Sequence, residues 1–257
     1  MPKPTPKYLW FWQGAMALAV FVLWWGLTAS AILPPFFFGE PYKVLARIAE
    51  WFIVGDIWEH LGVTLIETLL AFVIGMILGL AAGLWLGLSD TAATLADPYI
   101  KAFNAMPRVI LAPIFAVWFG LGIWSKVALG VTLVFFIIFF NVYHGVREVS
   151  PVVLANARML GASRRQLLRH IYLPSATSWV FSSLHTAVGM AFVGAVVGEY
   201  LGAAKGVGYL ILQAEGSFDI NTVFAGMLVL TGCALLLDWG VTLVERRLLK
   251  WRPTHPL

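Results

Sequence analysis

The chain has 257 residues, of which 60% are hydrophobic and only 12% charged, and a mean hydropathy of +0.86. Such values exclude a soluble globular domain and place the chain among polytopic membrane proteins. The net charge of +4 falls in short basic blocks between apolar runs, so membrane topology accounts for it better than nucleic-acid binding does. The single cysteine, Cys233, excludes an intrachain disulfide and reads as a small buried hydrophobe.

Residues 1–12 read as a cytoplasmic tail carrying Lys3 and Lys7, with Trp10 and Trp12 at the membrane interface. The first apolar run, 13–33, ends in a stretch, Ala29-Ser30-Ala31, that mimics a signal-peptide cleavage site. Its length and Trp24-Trp25 favour an uncleaved span. Residues 34–60 read as an outer loop. Within it, Val44, Leu45, Ile48, Trp51 and Phe52 share one helical face, opposite Lys43, Arg47 and Glu50. That pattern predicts a helix lying flat on the outer surface, packed on the spans rather than acting as a lid.

The second span, 61–88, carries Gly75, Gly79, Gly83 and Gly87, one every four residues. Such a stripe lets another helix approach closely, and leaves open whether that helix belongs to the same chain. Glu67 lies near the outer end of this span. The third span, 108–121, is short and broken by Pro113. The fourth, 125–144, holds Asn141 and His144 near its inner end.

A polar island follows, residues 148–174, reading EVSPVVLANARMLGASRRQLLRHIYLP. Arg158, Arg164, Arg165 and Arg169 keep it out of hydrocarbon, because each arginine at a bilayer centre costs about 3 kcal/mol or more. Ser150-Pro151 is a helix start, with Ser as N-cap and Pro at the first helical position. Gly161 ends that helix, since a left-handed C-cap suits a residue without a Cβ. Ser163 through Gln166 fits a capping box that opens a second helix, which Pro174 is expected to stop. The island thus reads as two short helices joined at an angle.

The fifth span, 176–201, places His185 near its middle, with Ser182, Ser183 and Thr186 within a turn. Polar groups inside spans are costly and so are functional candidates. His185 either lines a path through the membrane or makes a packing hydrogen bond. Serine and threonine favour back-bonding to preceding carbonyls. The next loop sets Glu199, Glu215 and Asp219 against Lys205 on the outer side. The sixth span, 222–244, has Asp238 in its inner half, expected to cap or to pair with Arg246 or Arg247. Residues 245–257 form a second basic cytoplasmic tail. The basic excess in both tails and the island predicts six spans with both termini in the cytoplasm.

No catalytic cluster and no metal-ligand set stands out: the histidines are dispersed and the buried acids scattered singly. A phosphate-binding Gly-x-x-x-x-Gly-Lys-[Ser/Thr] motif is absent, and the stretch from Gly202 to Gly208 lacks its spacing.

The spacing from Gly161 over nine residues to Ile171-x-Leu173-Pro174 resembles the EAA loop of ABC importer permeases. Ala155, Asn156 and Ala157 occupy the Glu-Ala-Ala positions, so the glutamate is missing here. The similarity extends from about His60 to Trp251, through His60-Leu61, Thr64-Leu65, Pro107-Arg108 and Ala112-Pro113. It continues through Trp118-Phe119-Gly120-Leu121-Gly122, Arg158-Met159-Leu160-Gly161-Ala162-Ser163, Gly206-Val207-Gly208-Tyr209-Leu210 and Glu245-Arg246-Arg247. These resemble the nitrate/sulfonate/taurine-type branch, although Glu67 stands where relatives often carry a basic residue.

The resemblance implies an all-α polytopic membrane protein in the cytoplasmic (inner) membrane, a single permease domain over 1–257. It implies a homodimer, two cytosolic ABC ATPase subunits and an extracytoplasmic substrate-binding protein, with membrane lipid around them and no nucleic acid. ATP and Mg would sit on the ATPase subunits, and this chain would carry no cofactor. The coupling contact is expected on Val152, Val153, Ala155, Asn156, Ala157 and Arg158. Leu160, Gly161, Ala162 and Ser163 continue it, with Arg164 and Arg165 at the rim. With the glutamate absent, coupling would rest on shape and arginines. The path is expected at His185, Ser182, Thr186, Asn141 and Glu67. The cargo would be a small anionic or organic solute such as nitrate, a sulfonate, taurine or a carboxylate. A vitamin or pyrimidine precursor is the alternative cargo, and a self-contained secondary transporter the alternative class.

Overall fold

The computed structural model describes residues 8–248 of the chain. The expected tails fall partly outside: residues 1–7 of the first and 249–257 of the second are not among the described residues. The described residues form helices α1 (Leu9–Ala29), α2 (Pro35–Phe38), α3 (Pro41–Val54), α4 (Ile57–Leu88) and α5 (Asp90–Ala105). After a 3₁₀ turn, Arg108–Ile110, come α6 (Leu111–Phe119), α7 (Ile123–Arg147), α8 (Pro151–Met159) and α9 (Arg164–Leu167). A π-turn, Leu168–Tyr172, leads into α10 (Leu173–Leu201), followed by α11 (Val207–Gly216) and α12 (Ile220–Leu248).

The glycine stripe organises the bundle, and its partner is α7 of the same chain. A Cβ added at Gly75, Gly79, Gly83 or Gly87 would lie 2.7–2.9 Å from the Cβ of Val134, Ile138, Val142 or Val146 respectively. Both helices advance four residues per rung, so α4 and α7 run parallel and in register. β-Branched side chains fill the glycine gaps, and dispersion contacts supply the attraction that hydrophobicity cannot supply in lipid. One rung is inverted: at Gly130 the small residue is on α7, and Ala71 of α4 provides the Cβ. Gly130 also faces Gly194 of α10, while Gly145 faces Trp179 and Gly198 faces Lys126, so α10 runs antiparallel to α7. The core is this trio of helices, centred on Ala71, Val134, Ile138, Val142, Ala187 and Ala191.

Because α4 and α7 are parallel and level, residues 89–122 must carry the chain back across the bundle. Helix α6 has nine residues and is about 14 Å long, too short to cross hydrocarbon alone. It completes one crossing with α5, bent by 77° at residues 106–107. This bent pair and five long apolar helices give six crossings. The expected third span, 108–121, is thus only the second limb of a broken one.

Other boundaries also move. Helix α1 starts at Leu9, inside the stretch expected as tail. Pro174 does not stop the helix: residues 164–201 are one continuous helical span. The π-turn just before Pro174 is the local rewinding that absorbs its missing N–H. The loop after the fifth span contains a helix, α11, that apolar periodicity did not reveal. Helix α3 packs through Val44, Ile48 and Trp51 beside a cluster of Ile57, Leu61, Val207 and Val229, so it is part of the bundle.

Candidate functional site

The polar island joins the island ends of α7 and α10. Arg147 closes α7 with an ion pair to Asp90 at 2.7 Å. Ser150 occupies the N-cap of α8 with Pro151 at N1, but its side chain makes no capping bond. The other end is a complete Schellman motif. The N–H of Ala162 donates to Ala157 O and that of Gly161 to Arg158 O, both at 3.0 Å. Gly161 has φ +82°, which explains the glycine there. The capping box at Ser163 is formed: its N–H donates to Gln166 Oε1 at 2.8 Å, and its Oγ accepts from the Gln166 N–H at 3.3 Å.

The island therefore presents α8 as a short rod outside the bundle. Leu160 is 89% exposed and Met159 79% exposed, with Val152, Val153, Ala155, Asn156 and Arg158 also exposed. A cleft of about 280 Å³ runs between α8 and α9, lined by Ala157, Leu160, Gln166, Leu167 and His170. Arg158, Arg164 and Arg165 are exposed, and among the described residues no carboxylate is in ion-pair range of them. This face combines exposed apolar side chains with a rim of arginines that have no carboxylate partner among the described residues.

At the opposite end the structure gathers residues that the sequence reading kept apart. Glu67, Lys126 and Glu199 are 1%, 1% and 0% exposed. Glu199 lies within α10, not in a loop, and joins Glu67 rather than standing singly. Its Oε1 accepts from the Thr64 hydroxyl at 2.6 Å and its Oε2 from the Gly208 N–H at 2.8 Å. Thr64 Oγ1 also accepts from the Val207 N–H at 3.1 Å, and His60 Nδ1 from the Gly206 N–H at 3.0 Å. The first turn of α11 thus sits on the Glu199 carboxyl. Gly206 (φ +111°) and Gly208 leave room for it, since a Cβ at either would overlap its side chain. Lys126 adds a positive charge near both acids and donates to the carbonyls of Leu121 at 2.6 Å and Gly122 at 3.0 Å. Glu67 Oε2 is buried without a hydrogen-bond partner.

Midway along α10, His185 bridges two carboxylates of α12. Its Nδ1 lies 2.5 Å from Asp238 Oδ1 and its Nε2 lies 3.2 Å from Glu245 Oε2. Asp238 therefore pairs across to α10, and among the described residues it makes no ion pair with Arg246 or Arg247. Ser182 and Thr186 share the exposed face of α10 with His185. Ser183 is buried and back-bonds to Val180 O at 3.0 Å, while Asn141 donates to Ile137 O at 2.8 Å. Beside these helices a cavity of about 640 Å³ opens between α4, α10 and α12, with apolar walls that include Leu65, Phe72, Met76, Leu184 and Val241.

Six crossings and a capped two-helix loop projecting from one end describe the membrane-spanning part of a transporter. Residues 71–250 match the family described as binding-protein-dependent transport system inner membrane component, and the chain belongs to it. It is 30% identical to a provisionally named aliphatic sulfonates transport permease protein, SsuC, of Bacillus subtilis (strain 168), over 98% of this chain and 92% of that one. It is 29% identical to the taurine transport system permease protein TauC of Escherichia coli (strain K12), over 93% and 88%. It is 32% identical to the formylaminopyrimidine transport permease protein ThiX of Halalkalibacterium halodurans, over 89% and 91%. A chain of the MetNI methionine ABC transporter, solved in inward facing conformations, shares the fold with a TM-score of 0.63 at 20% identity, over 77% of this chain and 96% of that one. The chain is a multi-pass permease subunit of a binding-protein-dependent ABC transporter, of the nitrate/sulfonate/taurine-type branch.

Proposed function

We propose that two copies of this chain form the translocation pathway of an ATP-driven importer in the cytoplasmic (inner) membrane. Two separate cytosolic ABC ATPase subunits, carrying ATP and Mg, drive the pair, and an extracytoplasmic binding protein delivers the cargo. Both termini and residues 148–174 face the cytoplasm in this reading, and 34–60 faces outward. The chain itself carries no cofactor and performs no catalysis.

The observation that carries the reading is the exposed α8, closed by the Schellman turn at Gly161 and followed directly by the long span Arg164–Leu201. A rigid rod seated in an ATPase groove passes closure of the ATPases to α10 as a rigid-body movement. Val152, Val153, Leu160 and the Schellman turn at Gly161 supply the shape of the contact. Arg158, Arg164 and Arg165 pair with acidic groups on the ATPase, in place of the glutamate that Ala155 replaces. The cargo is a small anionic solute of the sulfonate or carboxylate type, by analogy with the relatives for aliphatic sulfonates and taurine.

The test is reconstitution into liposomes. Uptake of a sulfonate should require the ATPase, ATP and the binding protein together. Transport by this chain alone would remove the reading.

A further inference from the structure

Arg108 sits on the 3₁₀ turn at the bend between α5 and α6. Its guanidinium carbon lies 4.4 Å from the centroid of the Phe136 ring. Phe136 is at the middle of α7, between the rungs formed by Val134 and Ile138. The bend of the broken crossing therefore places a permanent cation near half-depth of the bundle.

The cation is held but not neutralised. Nη2 donates to Asn104 Oδ1 at 2.5 Å and to Asn104 O at 3.3 Å. Nε is buried and has no hydrogen-bond partner. Among the described residues no carboxylate is within ion-pair range of Arg108, whereas Arg147 has Asp90. An arginine at such depth costs about 3 kcal/mol or more, so a purely structural one would be expected to have a carboxylate partner. Here a neutral ring and an amide do the holding. The Phe136 ring lies against the guanidinium carbon, and the two Asn104 oxygens hold Nη2. Nη1 is left with N–H groups that can donate to an oxyanion oxygen. Breaks in membrane-spanning helices near the midplane are where transported solutes bind in other transporter folds.

We propose that Arg108, held over the Phe136 ring and oriented by Asn104, is an oxyanion-binding site at the bend of the broken crossing. It takes the sulfonate or carboxylate group of the passing solute. The proposal rests on the importer reading and adds to it the residue that recognises the anion. A lipid phosphate offers the same oxyanion chemistry, but lipid headgroups lie roughly 15 Å away from half-depth. The solute is therefore the assigned source.

Two measurements on the complete transporter, with ATPase and binding protein in liposomes, test it. The first uses a thiol reporter, Ala105→Cys, at the end of α5 three residues before Arg108, in a Cys233→Ala background. A sulfonate-bearing methanethiosulfonate reagent should label the reporter at least fivefold faster than a trimethylammonium-bearing one. Arg108→Gln should abolish that preference and Arg108→Lys should retain part of it. Taurine should slow the labelling. An unchanged preference in Arg108→Gln overturns the site. So does labelling only by a membrane-permeant maleimide, which would place Arg108 against lipid, or slowing by anionic lipid but not by taurine. The second measurement is ATP-driven taurine uptake: Arg108→Gln should raise KM at least tenfold, and wild-type KM overturns the site. A wild-type transporter that moves no sulfonate would count against the cargo reading alone, and the reporter then decides on Arg108.

Discussion

Thr64 on α4 donates its hydroxyl to Glu199 on α10 across 2.6 Å, and the same oxygen accepts the Val207 N–H of α11. One hydroxyl thereby ties three helices together at the end opposite the island. Thr64→Val keeps the shape and removes both bonds, leaving a buried carboxyl oxygen and a buried N–H unpaired. Each orphan costs about 1–3 kcal/mol. Thermal unfolding of the purified chain in detergent should show a clear loss, and Thr64→Ser should recover most of it. Gly206→Ala should cost at least as much, because φ is +111° and the new Cβ overlaps the Glu199 carboxyl. Wild-type melting for Thr64→Val would show that the network is not a structural lock.

The stripe of glycines was readable in the sequence because a four-residue repeat is a local property. Its partner was not, because pairing Gly75 with Val134 is a matter of long-range register. That register explains the missed cluster as well. Glu67 precedes Ala71 by the same four residues that separate the rungs, and Lys126 precedes Gly130 likewise, so the ladder carries the two toward each other. Glu199 reads as loop because it lies near the end of an apolar run, where hydropathy cannot tell a buried acid from an exposed one. Caps in the island were legible because they depend on residues within four positions. The fate of Pro174 depended on a π-turn, which has no sequence signature of comparable strength.

The ladder makes a reciprocal prediction. Gly75→Ala puts a Cβ 2.7 Å from that of Val134, an overpacking worth about 1–3 kcal/mol. Adding Val134→Gly should restore part of the stability, because the pair then copies the natural inversion at Ala71 and Gly130. Melting temperatures of the two single variants and the double variant give the coupling. Strictly additive losses would mean that the two helices do not meet at this rung.

Gly161 separates coupling from folding. Nothing lies within 4 Å of a Cβ built there, but φ is +82°, a conformation that costs an ordinary L residue about 1–2 kcal/mol and a β-branched one more. Gly161→Val should therefore distort the α8 C-cap and leave the bundle intact. Insertion and melting should stay near wild type, while uptake falls severalfold relative to ATP hydrolysis. Gly161→Asn, which tolerates the left-handed region, should retain most uptake. Normal uptake by the valine variant would argue against α8 as the coupling element.

His185 is the point where a rod that starts at the island meets α12. The continuous span from Arg164 to Leu201 carries any tilt of α8 to His185, and His185 holds Asp238 and Glu245. The Asp238 side chain is 61% exposed in the single chain, so the contact is not enclosed by this chain's own packing. His185→Ala should leave the helices inserted and folded. It should lower ATP-driven uptake several-fold, because the α10–α12 link is cut and two carboxylates are left without their shared partner. Asp238→Leu removes one of the two contacts and leaves His185 with Glu245, so it should lose part of what His185→Ala loses, and the double variant should be no worse than His185→Ala alone. Uptake kinetics and ATP hydrolysis measured side by side make the distinction. Wild-type uptake in His185→Ala would reduce the trio to packing. Strictly additive losses would mean that His185 and Asp238 act separately.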